Sequence, residues 1–227
     1  MRVLALASMR VNAYARSQRA LGPLLGTLVL LGIAHAGGKA SPAQAYGFSA
    51  ALLFAVFAWQ TKLILDTEPD EQRMIARVGI GSAAKEVQAG LIAAVASGVP
   101  IMLVGIVAPL ALRALDLQRT SLAAAIGLGL LVHVLAVLAG AGVGALASRA
   151  VVPEAGWAAL ILVGVPVLVI VLGSRTSPIA HLLVPQFFGL AKLGPGDAGG
   201  AAALSAHALV WAAVLLGAYA FLRRTRP

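Results

Sequence analysis

Apolar residues run on in six long blocks along this chain, at 20–36, 45–65, 87–112, 121–147, 156–172 and 201–222. A bilayer core about 30 Å thick takes roughly 20 helical residues to cross, because hydrocarbon offers backbone N–H and C=O groups no partner outside the helix. The blocks therefore predict six transmembrane helices, the first and fifth short. Breakers or charge interrupt them: "GGKASPAQ", the segment opening "LDTEPDEQR", "RALDLQRT", "SRAVVPEAG" and "GSRTSPIAHLLVPQFFGLAKLGPGDAGG". The expected fold is an all-α polytopic membrane protein, one domain over 1–227.

The first 19 residues carry a different pattern. Val3, Leu4, Ala7, Val11 and Tyr14 share one helical face, and Arg2, Asn12, Arg16 and Arg19 lie largely on the other. Such a helix suits the membrane surface, so 1–19 is expected as an interfacial helix in contact with lipid. Four arginines, an apolar core at 21–33 and "AHA" at 34–36 also imitate a signal peptide with its cleavage site. The helical pattern of the basic region favours the interfacial reading, and the intact mass of the mature protein distinguishes the two.

Composition agrees with a membrane protein. Of 227 residues 60% are hydrophobic and 11% charged, where soluble proteins have about a quarter charged. The net charge of +9 does not form a basic stripe with interleaved aromatics, which argues against nucleic acid. It serves as a topology signal instead. With both termini inside, twelve of the seventeen Lys and Arg residues fall on inner segments, leaving only Lys39, Arg113, Arg119, Arg175 and Lys192 outside. The expectation is a multi-pass protein of the inner (cytoplasmic) membrane with cytoplasmic termini. Cys is absent, which removes disulfides and thiolate metal sites.

The acidic residues are uneven. Asp66, Glu68, Asp70, Glu71 and Glu86 are five of the eight, all between the second and third blocks. A short helix is expected over 68–78: Thr67 and Asp70 have capping-box spacing, Pro69 suits a first turn, and Glu68, Asp70 and Glu71 place negative charge at the positive end of the helix dipole. Arg73 and Arg77 lie toward its other end, Gly79 can take the left-handed terminal position, and Gly81 and Ser82 then start the third span. Met74, Ile75 and Val78 give this helix a small apolar face, as a segment used by a partner would have.

An interfacial N-terminal helix, six spans, a charged helix-bearing loop after the second and a long outer segment after the fifth together resemble the ABC-2 type permeases, membrane subunits of ATP-binding-cassette exporters. The resemblance lies in layout over the whole chain. It implies that 66–82 is a coupling helix docking on separate ABC ATPase subunits, through Glu68, Asp70, Glu71, Arg73, Met74, Ile75 and Arg77. It implies that 174–200, with Ile179, Leu182, Leu183 and Phe187 at helical spacing around Pro178 and Pro185, forms short outer half-helices. A second permease chain, identical or a paralogue, is implied as partner, with ATP and Mg on the ATPase and no cofactor here. The loop at 148–156 is short for a second coupling element.

Motif tests agree with a chain lacking its own nucleotide site. "GIAHAGGKA" from Gly32 fails the P-loop pattern in spacing and last position, and "GIGSAA" at Gly79 follows no strand. Among His35, His133, His181 and His207 none has a second His, Asp or Glu at ligand spacing, so no metal site or acid–base pair is visible. His133, in the middle of the fourth block, is either a pathway-lining residue or a neutral histidine bonded to a neighbouring helix. Gly22 with Gly26 and Gly140 with Gly144 are four apart and are expected to pack helices within the chain. Pro100, Pro109 and Pro166 are expected as kinks or breaks.

The function expected is a permease that moves a hydrophobic or amphipathic cargo, a lipid, drug or peptide, by alternating access driven from the partner ATPase; it is not itself an enzyme. An ion-coupled secondary transporter would need carboxylates inside the spans, and these have none. An intramembrane enzyme would need His, Asp, Arg or Ser clustered near one interface, and the one dense cluster, the acidic loop, lacks His.

Overall fold

The computed structural model describes residues 2–174, 177–193 and 197–225, and these contain helices and no strand. Arg175 and Arg226, used above in the charge count, and part of the 174–200 segment lie outside them. The order is α1 (Arg2–Arg16), α2 (Leu21–His35), α3 (Pro42–Leu65), α4 (Asp70–Ile80), α5 (Ala83–Ala111), α6 (Leu122–Leu146), α7 (Ala155–Ser174), α8 (Pro178–Leu183), α9 (Phe187–Ala191) and α10 (Ala198–Thr225). Among the described residues five helices are long and apolar enough to cross a membrane: α3, α5, α6, α7 and α10. The predicted first span is α2, whose 15 residues reach about 22 Å; it makes a sixth span only as a pair with α1, from which it is bent by 73°.

The centre is α3. It starts on Ser41, whose hydroxyl accepts from the Gln44 N–H, with Pro42 in the first turn. Tyr46, Leu53, Phe54 and Phe57 are fully or almost fully enclosed, and α6 lies closest against them. Glycine permits that approach. A Cβ at Gly140 would stand 2.7 Å from the Phe57 Cβ, and one at Gly144 would stand 2.6 Å from the Thr61 Cβ. Both positions therefore pack within the chain, as does Gly22, where a Cβ would meet the Trp59 ring at 2.9 Å. Pro100 and Pro109 lie inside the single helix α5 and Pro166 inside α7; no break occurs at any of the three.

α2 and α5 flank α3, and α10 packs mainly on α6. At the end remote from the acidic loop the connections join: the Ala40 N–H donates to the Ala114 carbonyl at 2.9 Å and the Asp116 N–H to the Ala40 carbonyl at 2.8 Å. There α8 and α9 form two short pieces. Phe187 is buried against Phe54 with ring centroids 5.7 Å apart, whereas Ile179, Leu182 and Leu183 stay exposed. α10 holds this segment through Trp211 Nε1, which donates to the Leu183 carbonyl at 3.0 Å.

Candidate functional site

α4 begins two residues after the predicted start and ends two residues later. Pro69 occupies the cap position, and no side chain caps the helix. The expected capping box is absent because the Thr67 hydroxyl donates backward to the Leu63 carbonyl at 2.7 Å, finishing α3. The left-handed terminal residue is Gly81, at φ +78°, rather than Gly79, and its N–H closes onto the Arg77 and Val78 carbonyls. Gly81 has no Cβ to penalise that conformation, so one residue ends α4 and Ser82 leads directly into α5.

The acidic residues explain their own clustering. Glu68, 8% exposed, accepts from Arg10 Nε at 2.9 Å. The other edge of the Arg10 guanidinium reaches Glu86 Oε1 at 2.6 Å and the Glu86 carbonyl at 3.1 Å. Burial works against the Arg10 charge, but its bonds to Glu68 and Glu86 outweigh that and raise its pKa. Gly90 makes room: a Cβ there would meet Arg10 Nη1 at 3.0 Å. Glu86 also faces Arg223 from the end of α10 at 3.8 Å. Thus α1, the acidic loop, α5 and α10 meet at one ionic node.

A second set of partners surrounds Asp66 and Arg73. Asp66 pairs with Lys62 and accepts the Arg149 N–H at 2.9 Å. Arg73, 6% exposed, donates to the Leu65 carbonyl and faces Asp70 at 3.6 Å. Burial, and then the neighbouring Arg223, lower the Arg73 pKa, although a guanidinium remains charged. Arg149 further donates to the Glu68 carbonyl at 3.1 Å and stands 3.6 Å from Asp70. The 148–156 loop is accordingly fastened to the acidic loop.

Of the coupling residues expected from sequence, Glu68 and Arg73 are turned inward and Asp70 sits between two arginines, while Glu71, Met74, Ile75 and Arg77 are exposed. Ile75 is 72% and Val78 83% exposed, so the apolar face of α4 is uncovered. Beside it a groove of about 520 Å³ separates α4 from α1, lined by Leu6, Met9, Ile75 and Ile80 among others. The segment is not a free-standing rod: one side is stapled to the bundle and the other is open.

α1 buries Ala7, Arg10 and Tyr14 against α5 and exposes Leu4 and Met9, so its buried face is shifted from the predicted one and includes a cation. Arg10, Glu86, Arg149 and Arg223 were not among the residues expected at this site. The sequence did carry signals for two of them. Arg10 is three residues from Ala7 and four from Tyr14, a charge on an apolar face, and Glu86 is the lone acid in the first turn of an apolar helix.

His133 lies far from this node, 0% exposed. Its Nδ1 is 2.8 Å from the Gly129 carbonyl, which can only accept, so Nδ1 carries the proton. Nε2 meets the Ser49 hydroxyl at 3.2 Å on α3, and Tyr46 presents its ring edge-on. Both ring nitrogens are engaged within the bundle, the geometry of a histidine bonding two helices. Among the described residues no group of three or more His, Asp or Glu could hold a metal. Compared with protein-family models and with curated proteins, the chain matches none.

Proposed function

We propose that this chain is the membrane subunit of an ATP-driven exporter and that α4 is the surface on which a separate ATPase acts. The observation that carries this reading is the uncovered strip of Met74, Ile75 and Val78, flanked by Glu71 and Arg77, on a helix whose opposite side is fixed to the spans. Three exposed apolar side chains beside a groove, with charges of both signs at the rim, have the make-up of a protein-docking patch. Arg73 ties α4 to the last turn of α3, and Gly81 joins it directly to α5. A push on α4 would reach both spans. ATP and Mg belong to the partner, and a second permease chain would complete the cavity. The spans have few ionisable groups, which favours a lipid, drug or hydrophobic peptide as cargo.

The test is co-purification of the tagged chain from its native membrane, with the captured proteins searched for a P-loop ATPase. Ile75→Asp should abolish capture without lowering the unfolding temperature, since Ile75 touches solvent in the free chain. Wild-type protein that brings down no ATPase, or an Ile75→Asp variant that still does, overturns the proposal.

A further inference from the structure

Two side-chain oxygens in the loop-side half of the bundle are buried without a hydrogen-bond partner. The Tyr14 hydroxyl and Gln60 Oε1 have no hydrogen bond, although Tyr14 is 3% and Gln60 2% exposed. Buried polar groups are nearly always satisfied, so an orphan pair asks what fills the space between them. Both line one cavity of about 160 Å³, close to the ~150 Å³ that holds a benzene-sized body. Ser97, Leu24, Pro100 and Ile101 complete most of its wall. The Ser97 hydroxyl gives its proton to the Ala94 carbonyl, so its oxygen can still accept.

Beside Tyr14 on α1 and Gln60 on α3, this cavity is walled by α2 and α5, and those two helices also wall a larger space farther along. One turn beyond Leu24 and Ile101, a trough of about 510 Å³ lies between α2 and α5, walled by Leu28, Gly32, Leu103, Val107 and Leu112. No Lys, Arg, Asp or Glu lines either space. A polar corner offering one donor and one acceptor, with a separate apolar trough next along the same seam, matches the two ends of one amphiphile. The head must be uncharged, because an anion there would lack a cation, and it must both donate and accept, as a hydroxyl does.

We propose that the seam between α2 and α5 binds a neutral membrane lipid with a free hydroxyl, its head between Tyr14 and Gln60 and its chain along the trough. The site is independent of the exporter reading. Its head end is set by the bend between α1 and α2, so occupancy favours the docked position of α1.

The probe is dioleoylglycerol carrying a diazirine in one acyl chain, irradiated with the full-length protein in phosphatidylcholine nanodiscs, with adducts mapped by mass spectrometry. Label should concentrate on α2 and α5. Gln60→Leu and Tyr14→Phe should each reduce it roughly fivefold or more, about the effect of one lost hydrogen bond, without lowering the unfolding temperature. Leu103→Trp, which fills the trough and leaves the polar corner intact, should reduce it too. Unlabelled dioleoylglycerol should compete, and its O-methyl ether and dioleoylphosphatidic acid should not. Label spread equally over α7 and α10, label unchanged by Gln60→Leu, or equal competition by the methyl ether, as expected if water alone fills the corner, overturns the proposal.

Discussion

Arg10 holds two carboxylates that solvent barely reaches. Removing one partner of a buried ion pair leaves an uncompensated charge and costs about 3–5 kcal/mol, whereas replacing the whole group with apolar residues of similar size can be neutral. Arg10→Met should therefore lower the unfolding temperature in detergent more than any substitution of exposed Arg2 or Arg16. Adding Glu68→Gln and Glu86→Gln to Arg10→Met should recover much of that loss, a coupling read from the mutant cycle. His133→Leu should be mild by comparison. It removes the bond to Gly129 and the contact with Ser49, whose one hydroxyl proton still has the Tyr46 carbonyl at 3.1 Å to donate to. Unchanged expression and unfolding temperature within a few degrees would match that expectation.

At the scale of elements, the α3–α6 contact depends on where Cβ atoms are missing. Gly144 and Gly127 lie on the same helix, but a Cβ at Gly144 would run into the α3 backbone at Ala58, while one at Gly127 meets nothing within 4 Å. Gly144→Ala should destabilise by at least the ~1–3 kcal/mol typical of overpacking. Gly127→Ala should be neutral or stabilising by about 0.5–1 kcal/mol, the gain of alanine over glycine in a helix. Thermal unfolding of the two variants side by side checks this. The positions of the long helices were legible because spans are written as sustained apolar runs, and each predicted block overlaps one helix. The ends of α4 were less legible: Thr67 and Gly79 suit the expected roles locally, yet Thr67 serves the preceding helix and Gly81 lies two residues on. The ionic node was mostly hidden because its members are up to 213 residues apart in sequence, Arg10 to Arg223, and no periodicity links them.

For the whole molecule, the charge distribution predicts which end faces the cytoplasm. A chain without cysteine permits a direct test, since any introduced thiol is unique. Cysteine at exposed Glu71 should react with a membrane-impermeant maleimide only after cells are opened, and cysteine at exposed Lys39, at the far end of α2, should react in intact cells. Reversal of the two would invert the topology and overturn the docking of a cytosolic ATPase on α4. α7 and α10 also expose large apolar side chains, including Trp157, Val163, Val210 and Val214.

The contact between Glu86 and Arg223 also orders events during synthesis. Arg10 is available to Glu86 as soon as α5 emerges, but Arg223, on α10, follows Glu86 by 137 residues. Until then the nascent protein has its carboxylates only partly neutralised at a surface where lipid headgroups and water compete for them. Synthesis of α10, rather than insertion of any earlier span, is thus the step at which the charged base of the bundle becomes complete.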